Sequence, residues 1–369
     1  FEENRDFLPF LWAGLRRGTP IVPWNVAASQ ADPVQRVDQI SACLGPCTIV
    51  STAEVRRRFP KGFETLPAET LRDAEPTSAP PTALNGDDVA LLLLTSGSTG
   101  IPKAVQLTHR MIQHRSLAHA AASGIGPDDI SLNWMPLDHV GGVVMFHIRD
   151  VVLGAEQIQA STPWVLSDPL RWMQLAHEYG VTSTWAPNFA AGLVADEAHR
   201  LAPGQWDLSR LRNVLNGGEA VLSETVRRFV DAMSEQGLPR DAVRPSWGMS
   251  ETSSGETDGY RADAHDWTDP VPVGPPVAGF CVRVVDADHV PVPVGEVGAL
   301  EVSGASVTPG YWNNDERNRE AFTRDGWFRT GDRAIVRDGE LLLVGRDKDE
   351  ITINGINVSC DHVESVVEA

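Results

Sequence analysis

The chain has 369 residues, of which 42% are hydrophobic and 22% are charged, and its formal net charge is -19. Its length exceeds that of one ordinary core and predicts two or three packed subdomains. An acidic chain without a basic stripe is a poor partner for nucleic acid or an anionic membrane surface, and no apolar run is long enough to span a bilayer.

The apolar pattern alternates between helices and strands over most of the chain. Helical spacing over 7–15 precedes a strand at 21–23, and a second helix with Asp32 as its N-cap precedes a strand at 48–50. Strand–loop–helix units return over 89–243. This alternation predicts a doubly wound α/β sheet.

The sequence pattern changes in the last quarter of the chain. From about Val271, short Val-rich strands are separated by Gly and Pro, which is typical of an antiparallel or barrel-like piece. Asp338-Gly339 and Asn354-Gly355 each stand between two strand-like runs, so both predict hairpin turns.

The cysteines are few for this length and form no CxxC pair, which predicts free thiols of a reducing compartment rather than a disulfide framework or a zinc site. With no signal peptide at its start, the chain is cytoplasmic in character. Residue 1 is Phe rather than Met, so we expect the chain to be trimmed at this end. The cysteines are Cys43, Cys47, Cys281 and Cys360.

The segment from Leu91 to Lys103, LLLLTSGSTGIPK, carries the strongest chemical signal. An apolar strand runs into a loop of glycine and hydroxylated residues, and Lys103 follows before a helical stretch. Gly97 and Gly100 let the backbone approach phosphate oxygens, while the hydroxyl groups and the lysine add donors and positive charge. The spacing differs from a Walker loop because no Ser or Thr follows the lysine. The residues expected to contact phosphate are Thr95, Ser96, Gly97, Ser98, Thr99, Gly100 and Lys103.

Further motifs follow in order: NGGE at 216–219, WGMSE at 247–251, GWFRTGD at 326–332 and GRDK at 345–348. Together with TSGSTGIPKAVQLTH they resemble the motifs of the ANL superfamily, which comprises acyl-CoA synthetases, peptide-synthetase adenylation domains and luciferases. The resemblance covers essentially the whole chain. It implies an N-terminal body over 1–344 of doubly wound α/β subdomains plus a distorted β-barrel, and over 345–369 the hinge and the beginning of a small C-terminal α+β lobe.

The resemblance also implies that the chain activates a carboxylic acid with ATP as an acyl-AMP, with Mg2+ as cofactor. Trp247 would stack near the adenine, Glu251 would help to hold Mg2+, and Asp332 would grip the ribose hydroxyls. Trp247 stands where the family more often has Tyr, which keeps the stacking but loses the phenol hydroxyl. Lys103 and Mg2+ would screen the approach of the acid to the α-phosphate. The same motifs assign nucleotide contacts to Gly217, Gly218, Glu219, Ser246, Trp247, Gly248, Met249, Ser250, Asp332 and Arg346, and a hinge to Lys348.

The acid pocket is expected around MPLDHVGG at 135–142. Amino-acid-activating members place an Asp there for the substrate ammonium, and the likeness to acyl and aryl ligases aligns Val140 with that Asp and His139 with the aromatic residue before it. A one-residue slip would bring Asp138 there instead. Since Val cannot pair with a buried ammonium, the alignment favours a 2-hydroxy, 2-keto, aryl or short branched acid. The expected pocket residues are His139, Val140, Gly141, Val144, Trp185, Leu215, Gly217, Ser246, Ser254 and Gly255; His139 joins Lys103 and Glu251 as catalytic.

The tail, GRDKDEITINGINVSCDHVE, resembles fatty-acyl-AMP ligases and adenylation domains that load acid starters in hybrid polyketide–nonribosomal peptide synthases. It implies transfer of the acyl group to the phosphopantetheine thiol of a downstream carrier protein. A free-standing acyl- or aryl-CoA ligase and a non-catalytic nucleotide- or acyl-binding module are the alternatives. The family's catalytic C-terminal Lys is expected beyond Ala369, so we expect this chain alone to bind without efficient turnover.

Overall fold

The computed structural model describes residues 3–24, 33–57, 65–73, 83–95, 102–259, 267–346, 350–353 and 356–359. The predicted phosphate-loop residues Ser96, Gly97, Ser98, Thr99 and Gly100, the predicted hinge residue Lys348, and Cys360 lie outside these ranges. Within the described residues, Cys43, Cys47 and Cys281 are free thiols. No helix in this part of the chain is both long enough and apolar enough to cross a membrane.

The helices, numbered α1 to α11 in chain order, are Asn4–Arg17, Pro33–Leu44, Ala53–Arg56, Ala68–Arg72, His109–Ser123, Arg149–Leu153, Thr162–Leu166, Leu170–Tyr179, Asn188–Glu197, Ser223–Ser234 and Asp315–Ala321. Short 3-10 turns lie at Ala198–Arg200 and Ser250–Thr252, and a π-helix spans Gly141–Ile148. The strands, numbered β1 to β18, are Ile49–Ser51, Thr65–Pro67, Val89–Thr95, Lys103–Thr108, Ile130–Asn133, Glu156–Gln159, Ser183–Ala186, Asn213–Asn216, Val243–Pro245, Gly248–Met249, Ser254–Gly255, Pro272–Gly274, Phe280–Val285, Gly298–Gly304, Phe328–Arg337, Glu340–Arg346, Glu350–Ile353 and Ile356–Ser359.

The central layer is a five-stranded parallel sheet with strand order β6-β5-β7-β8-β9. Helix α10 packs on it because its apolar residues recur at helical spacing, and Val226, Phe229, Val230 and Met233 are buried. The Phe229 ring stacks on Trp172 of α8 with 5.9 Å between centroids. This sheet confirms the predicted α/β class.

The second sheet is antiparallel, with strand order β12-β16-β15-β14-β13. Strands β15 and β16 are joined at Asp338-Gly339, where both residues have positive φ (52° and 80°) as a type I′ hairpin requires. Strands β17 and β18 also pair antiparallel, while the predicted turn residues between them, Asn354-Gly355, lie outside the described residues. The described strands of this sheet run in order from β12 to β13, and the distorted β-barrel expected for this part of the chain stays a prediction.

The sequence indicated a helical stretch after Lys103 but no strand before that helix. In the structure, β4 begins at Lys103 and pairs antiparallel with β3, with Thr95 opposite Lys103. The strand is favoured by tertiary hydrogen bonds, since the amide of Gln106 donates to Gly310 O and the amide of Trp312 donates to Ala104 O. Helix α5 starts only at His109.

Candidate functional site

A lysine, a tyrosine and a glutamate from separate segments meet at the end of the β3–β4 pair. Lys103 Nζ lies 4.8 Å from the ring centroid of Tyr311, and the Tyr311 hydroxyl donates to Glu251 Oε1 at 2.8 Å. Both Tyr311 and Glu251 are buried. Burial, with the nearby Glu251 charge, raises the pKa of Tyr311 well above its ordinary value, so the phenol keeps its proton and remains a donor.

Backbone contacts hold this group in place. The amide of Thr308 donates to Glu251 O at 2.7 Å, and the Thr308 hydroxyl donates to Gln106 O at 2.8 Å. Tyr311 itself forms a β-bridge with Val105. The 3-10 turn with Glu251 is thereby tied to β4, the strand that starts with Lys103. Sequence reasoning missed Tyr311, because no motif links it to the other two residues.

A second carboxylate, Asp332, is held by two donors. Trp247 Nε1 donates to Asp332 Oδ2 at 2.9 Å, and Arg346 Nε donates to Asp332 Oδ1 at 2.9 Å. Asp332 and Trp247 are buried, while the Arg346 side chain is 62% exposed. Trp247 lacks the phenol hydroxyl of the Tyr that the family more often has at this position. In the structure the indole supplies a different donor, and that donor orients the carboxylate.

A cavity of about 40 Å3 is lined by residues of the parallel sheet, the π-helix and the β10–β11 pair. Every predicted pocket residue except Val144 lines it, together with Gly218, Gly248 and Met145. Val144 is fully buried and packs in the core with Val140 and Trp247. The lining residues are His139, Val140, Gly141, Met145, Trp185, Leu215, Gly217, Gly218, Ser246, Gly248, Ser254 and Gly255.

The local helix geometry explains why Met145 lines the cavity instead of the predicted Val144. An α-helix would align residue 144 with Val140, since four residues make about one turn. The segment Gly141–Ile148 is instead a π-helix, whose backbone hydrogen bonds join residues five apart and whose turn is wider than that of an α-helix. Met145 therefore reaches the cavity beside Val140, and it packs there with Trp185.

His139 stands exposed at the cavity and covers the Trp185 ring. The two ring centroids are 5.9 Å apart and the planes differ by 22°. The amide of Gly141 donates to His139 Nδ1 at 3.1 Å, so in the neutral imidazole the proton lies on Nε2. A methyl group on Gly141 would lie 2.1 Å from Trp185 Cζ2, which explains why glycine is needed beside that ring.

Two buried polar atoms of the cavity-lining residues have no hydrogen-bond partner among the described residues. They are Trp185 Nε1 and Ser254 Oγ. In contrast, Ser246 Oγ donates to Thr257 O at 2.8 Å. Ser254 adopts a positive φ of 107°, uncommon for serine, and its carbonyl accepts from the Thr252 hydroxyl at 2.8 Å. The protein therefore leaves these two donors next to the cavity without an internal partner.

Four further residues predicted to contact the nucleotide lie in other elements. Thr95 ends β3, Met249 ends β10, and Ser250 directly precedes Glu251 in the 3-10 turn. Glu219 lies on the surface, where its carboxylate accepts from the amide of Phe189 at 2.6 Å at the start of α9.

Comparison with known proteins identifies the family. The family model described as AMP-binding enzyme matches residues 21–312. Aspulvinone E synthetase melA of Aspergillus terreus is 33% identical over 389 residues, covering 100% of this chain and 41% of its own length. The chain thus spans about two fifths of that relative.

Two solved structures superimpose over the entire chain. McyG A-PCP complexed with phenylalanyl-adenylate has a TM-score of 0.94 and 35% identity, and 60% of that chain is covered. The adenylation domain of a keto acid-selecting NRPS module bound to keto acyl adenylate has a TM-score of 0.89 and 30% identity, with 73% covered. Family model, relatives and solved structures agree, and the chain belongs to the AMP-binding enzymes of the ANL superfamily.

Proposed function

We propose that this chain is an adenylation domain that uses ATP to activate a carboxylic acid without an α-amino group, forming acyl-AMP and releasing pyrophosphate. The observation that carries the choice of acid is Val140, which is buried and lines the cavity. None of the described residues that line the cavity is acidic. A substrate ammonium would therefore lose its water there without gaining a carboxylate partner, at a cost of several kcal/mol.

The unpartnered donors of the cavity favour an oxygen on the acid, as in a 2-oxo or 2-hydroxy acid. The Trp185 indole N–H and the Ser254 hydroxyl are both buried, and each can donate to such an oxygen. The keto acid-selecting neighbour supports this class, whereas the McyG structure holds an amino-acyl adenylate. The relatives thus include both classes, and the residues of this cavity favour the first.

We propose that the nucleotide lies across Trp247, with its ribose on Asp332 and its phosphates towards Lys103. The acid carboxylate attacks the α-phosphate, and pyrophosphate leaves. Two anions approach each other in this step, so the positive charge of Lys103 lowers its electrostatic cost. Tyr311 keeps Lys103 and Glu251 in register through its ring and its hydroxyl.

Glu251 fits the expected Mg2+ role by its chemistry. It is a buried carboxylate that Tyr311 links to Lys103. Mg2+ prefers oxygen ligands and is usually bound through one or two carboxylates plus substrate phosphates. When bound, the metal would neutralise charge on the phosphates. The protein's part is to orient the carboxylate, which the Tyr311 hydroxyl does at 2.8 Å.

We also propose that the acyl group passes to the phosphopantetheine thiol of a carrier protein. A solved neighbour of 35% identity pairs its adenylation domain with a PCP. Thioester formation on a phosphopantetheine-bearing carrier, compared with free CoA under the same conditions, tests this step. Equal or faster acylation of CoA would favour a free-standing ligase instead.

Acid-dependent ATP–pyrophosphate exchange by the full-length protein tests the choice of acid. The panel compares 2-amino, 2-hydroxy, 2-oxo and unsubstituted acids with the same aliphatic or aryl side chain. We expect exchange with the oxygenated acids and little with their amino counterparts. A preference for amino acids would refute the role of Val140. Nucleotide binding without exchange for any acid would favour a binding module.

A further inference from the structure

A fully buried arginine lies behind the acid cavity. Arg115 comes from α5, and its side chain is 0% exposed. Its Nε and Nη2 donate to Gly255 O at 3.3 and 3.2 Å, and its Nη1 donates to Met145 O at 3.4 Å. Gly255 and Met145 both line the cavity, one from β11 and the other from the π-helix. One guanidinium therefore joins two separate walls.

The guanidinium lies close behind the surface of these walls. A methyl group on Gly255 would be 3.8 Å from Arg115 Nη2, 3.6 Å from Met145 Sδ and 2.6 Å from Ser246 Oγ. These groups thus meet at one point of the cavity lining. A change in the position of the guanidinium must move at least one wall, because the interior is closely packed.

Burying this cation is costly unless its N–H groups are paired. A nearby acidic group is Glu256, which follows Gly255 and is also fully buried. Burial raises the pKa of Glu256 and lowers the pKa of Arg115, but a guanidinium keeps its proton at neutral pH even when it is buried. A shorter or apolar residue would avoid the cost of desolvation, but it would leave both wall carbonyls without this donor.

We propose that Arg115 is a positioning residue that sets the separation between the Met145 and Gly255 walls and so determines which side-chain size the acid pocket accepts. The inference rests on the proposed function, since it assigns this cavity to the acid. The planar guanidinium is required because its fixed fork of donors reaches two carbonyls at once, which an ammonium group on a flexible stem does not reproduce.

The test uses Arg115→Met and Arg115→Lys in the full-length protein, with Arg110→Met as the matched control. Arg110 lies on the same helix, but it is 60% exposed and pairs with Asp87 at 2.8 Å. Exchange is measured over a series of acids of one class with increasing side-chain size. The KM for ATP and the melting temperature are followed in parallel.

We expect Arg115→Met to change the ratio of kcat/KM between small and large acids by about tenfold or more, with the KM for ATP unchanged. Arg115→Lys should show a smaller shift in the same direction, and it serves alone if the Met variant does not fold. Arg110→Met should match the wild type. The proposal would be overturned if a folded Arg115 variant kept the wild-type preference for acid size. It would also be overturned if the KM for ATP changed as much as the KM for the acids. Absence of exchange in the wild type would instead refute the proposed function.

Discussion

Replacing Trp247 by Phe tests whether the indole N–H holds Asp332 for the ribose. Phe retains an aromatic face for the adenine but removes the donor that lies 2.9 Å from Asp332 Oδ2. A hydrogen bond to a charged group contributes about 1.5–3 kcal/mol. Arg346 still donates to Oδ1, but it is 62% exposed and therefore a weaker restraint on the carboxylate. We expect affinity for an acylsulfamoyl adenosine, a stable mimic of acyl-AMP, to fall about tenfold, the lower end of that range.

Calorimetric titration of this mimic and of its 2′,3′-dideoxy form measures the effect. Wild type should discriminate strongly between the two, and Trp247→Phe should lose much of that discrimination. The matched control is Trp172→Phe, which removes the same atoms and a bond of 2.9 Å to the neutral hydroxyl of Thr184 in the core. The control should lower the melting temperature without changing ribose discrimination. Undiminished discrimination in Trp247→Phe would show that the indole does not orient Asp332.

Three further changes test the acid and metal sites. Val140→Asp should lower kcat/KM for an oxygenated acid at least about tenfold, because it buries an unpaired carboxylate. The same variant should favour the matching amino acid in exchange assays. Loss of activity with both acids would argue against the place of Val140 in the pocket. Gly141→Ala should displace the Trp185 ring, since the new methyl would lie 2.1 Å from Cζ2, so the KM for the acid should change and that for ATP should not. Tyr311→Phe keeps the ring below the lysine but removes the bond to Glu251, so we expect the Mg2+ concentration for half-maximal exchange to rise; an unchanged metal requirement would remove Tyr311 from this role.

The resemblance to the ANL superfamily indicated most of the residues that line the cavity. The pocket residues aligned from His139 to Gly255 line one cavity, apart from Val144. Val144 was carried over from the family resemblance, whereas in this chain the segment forms a π-helix and Met145 lines the cavity instead. The strand that begins at Lys103 was missed because some of its backbone hydrogen bonds go to residues 310–312, which are far away in the sequence.

The sequence by itself determined the α/β class through its apolar periodicity. The resemblance of its ordered motifs to those of the ANL superfamily indicated the residues that surround the cavity. Only the tertiary structure decided the donor on Asp332, the link from Lys103 to Glu251 through Tyr311, and the place of Arg115 behind two walls. These contacts join residues from separate elements, and their geometry depends on how whole sheets and helices pack. No local pattern in the chain encodes that packing.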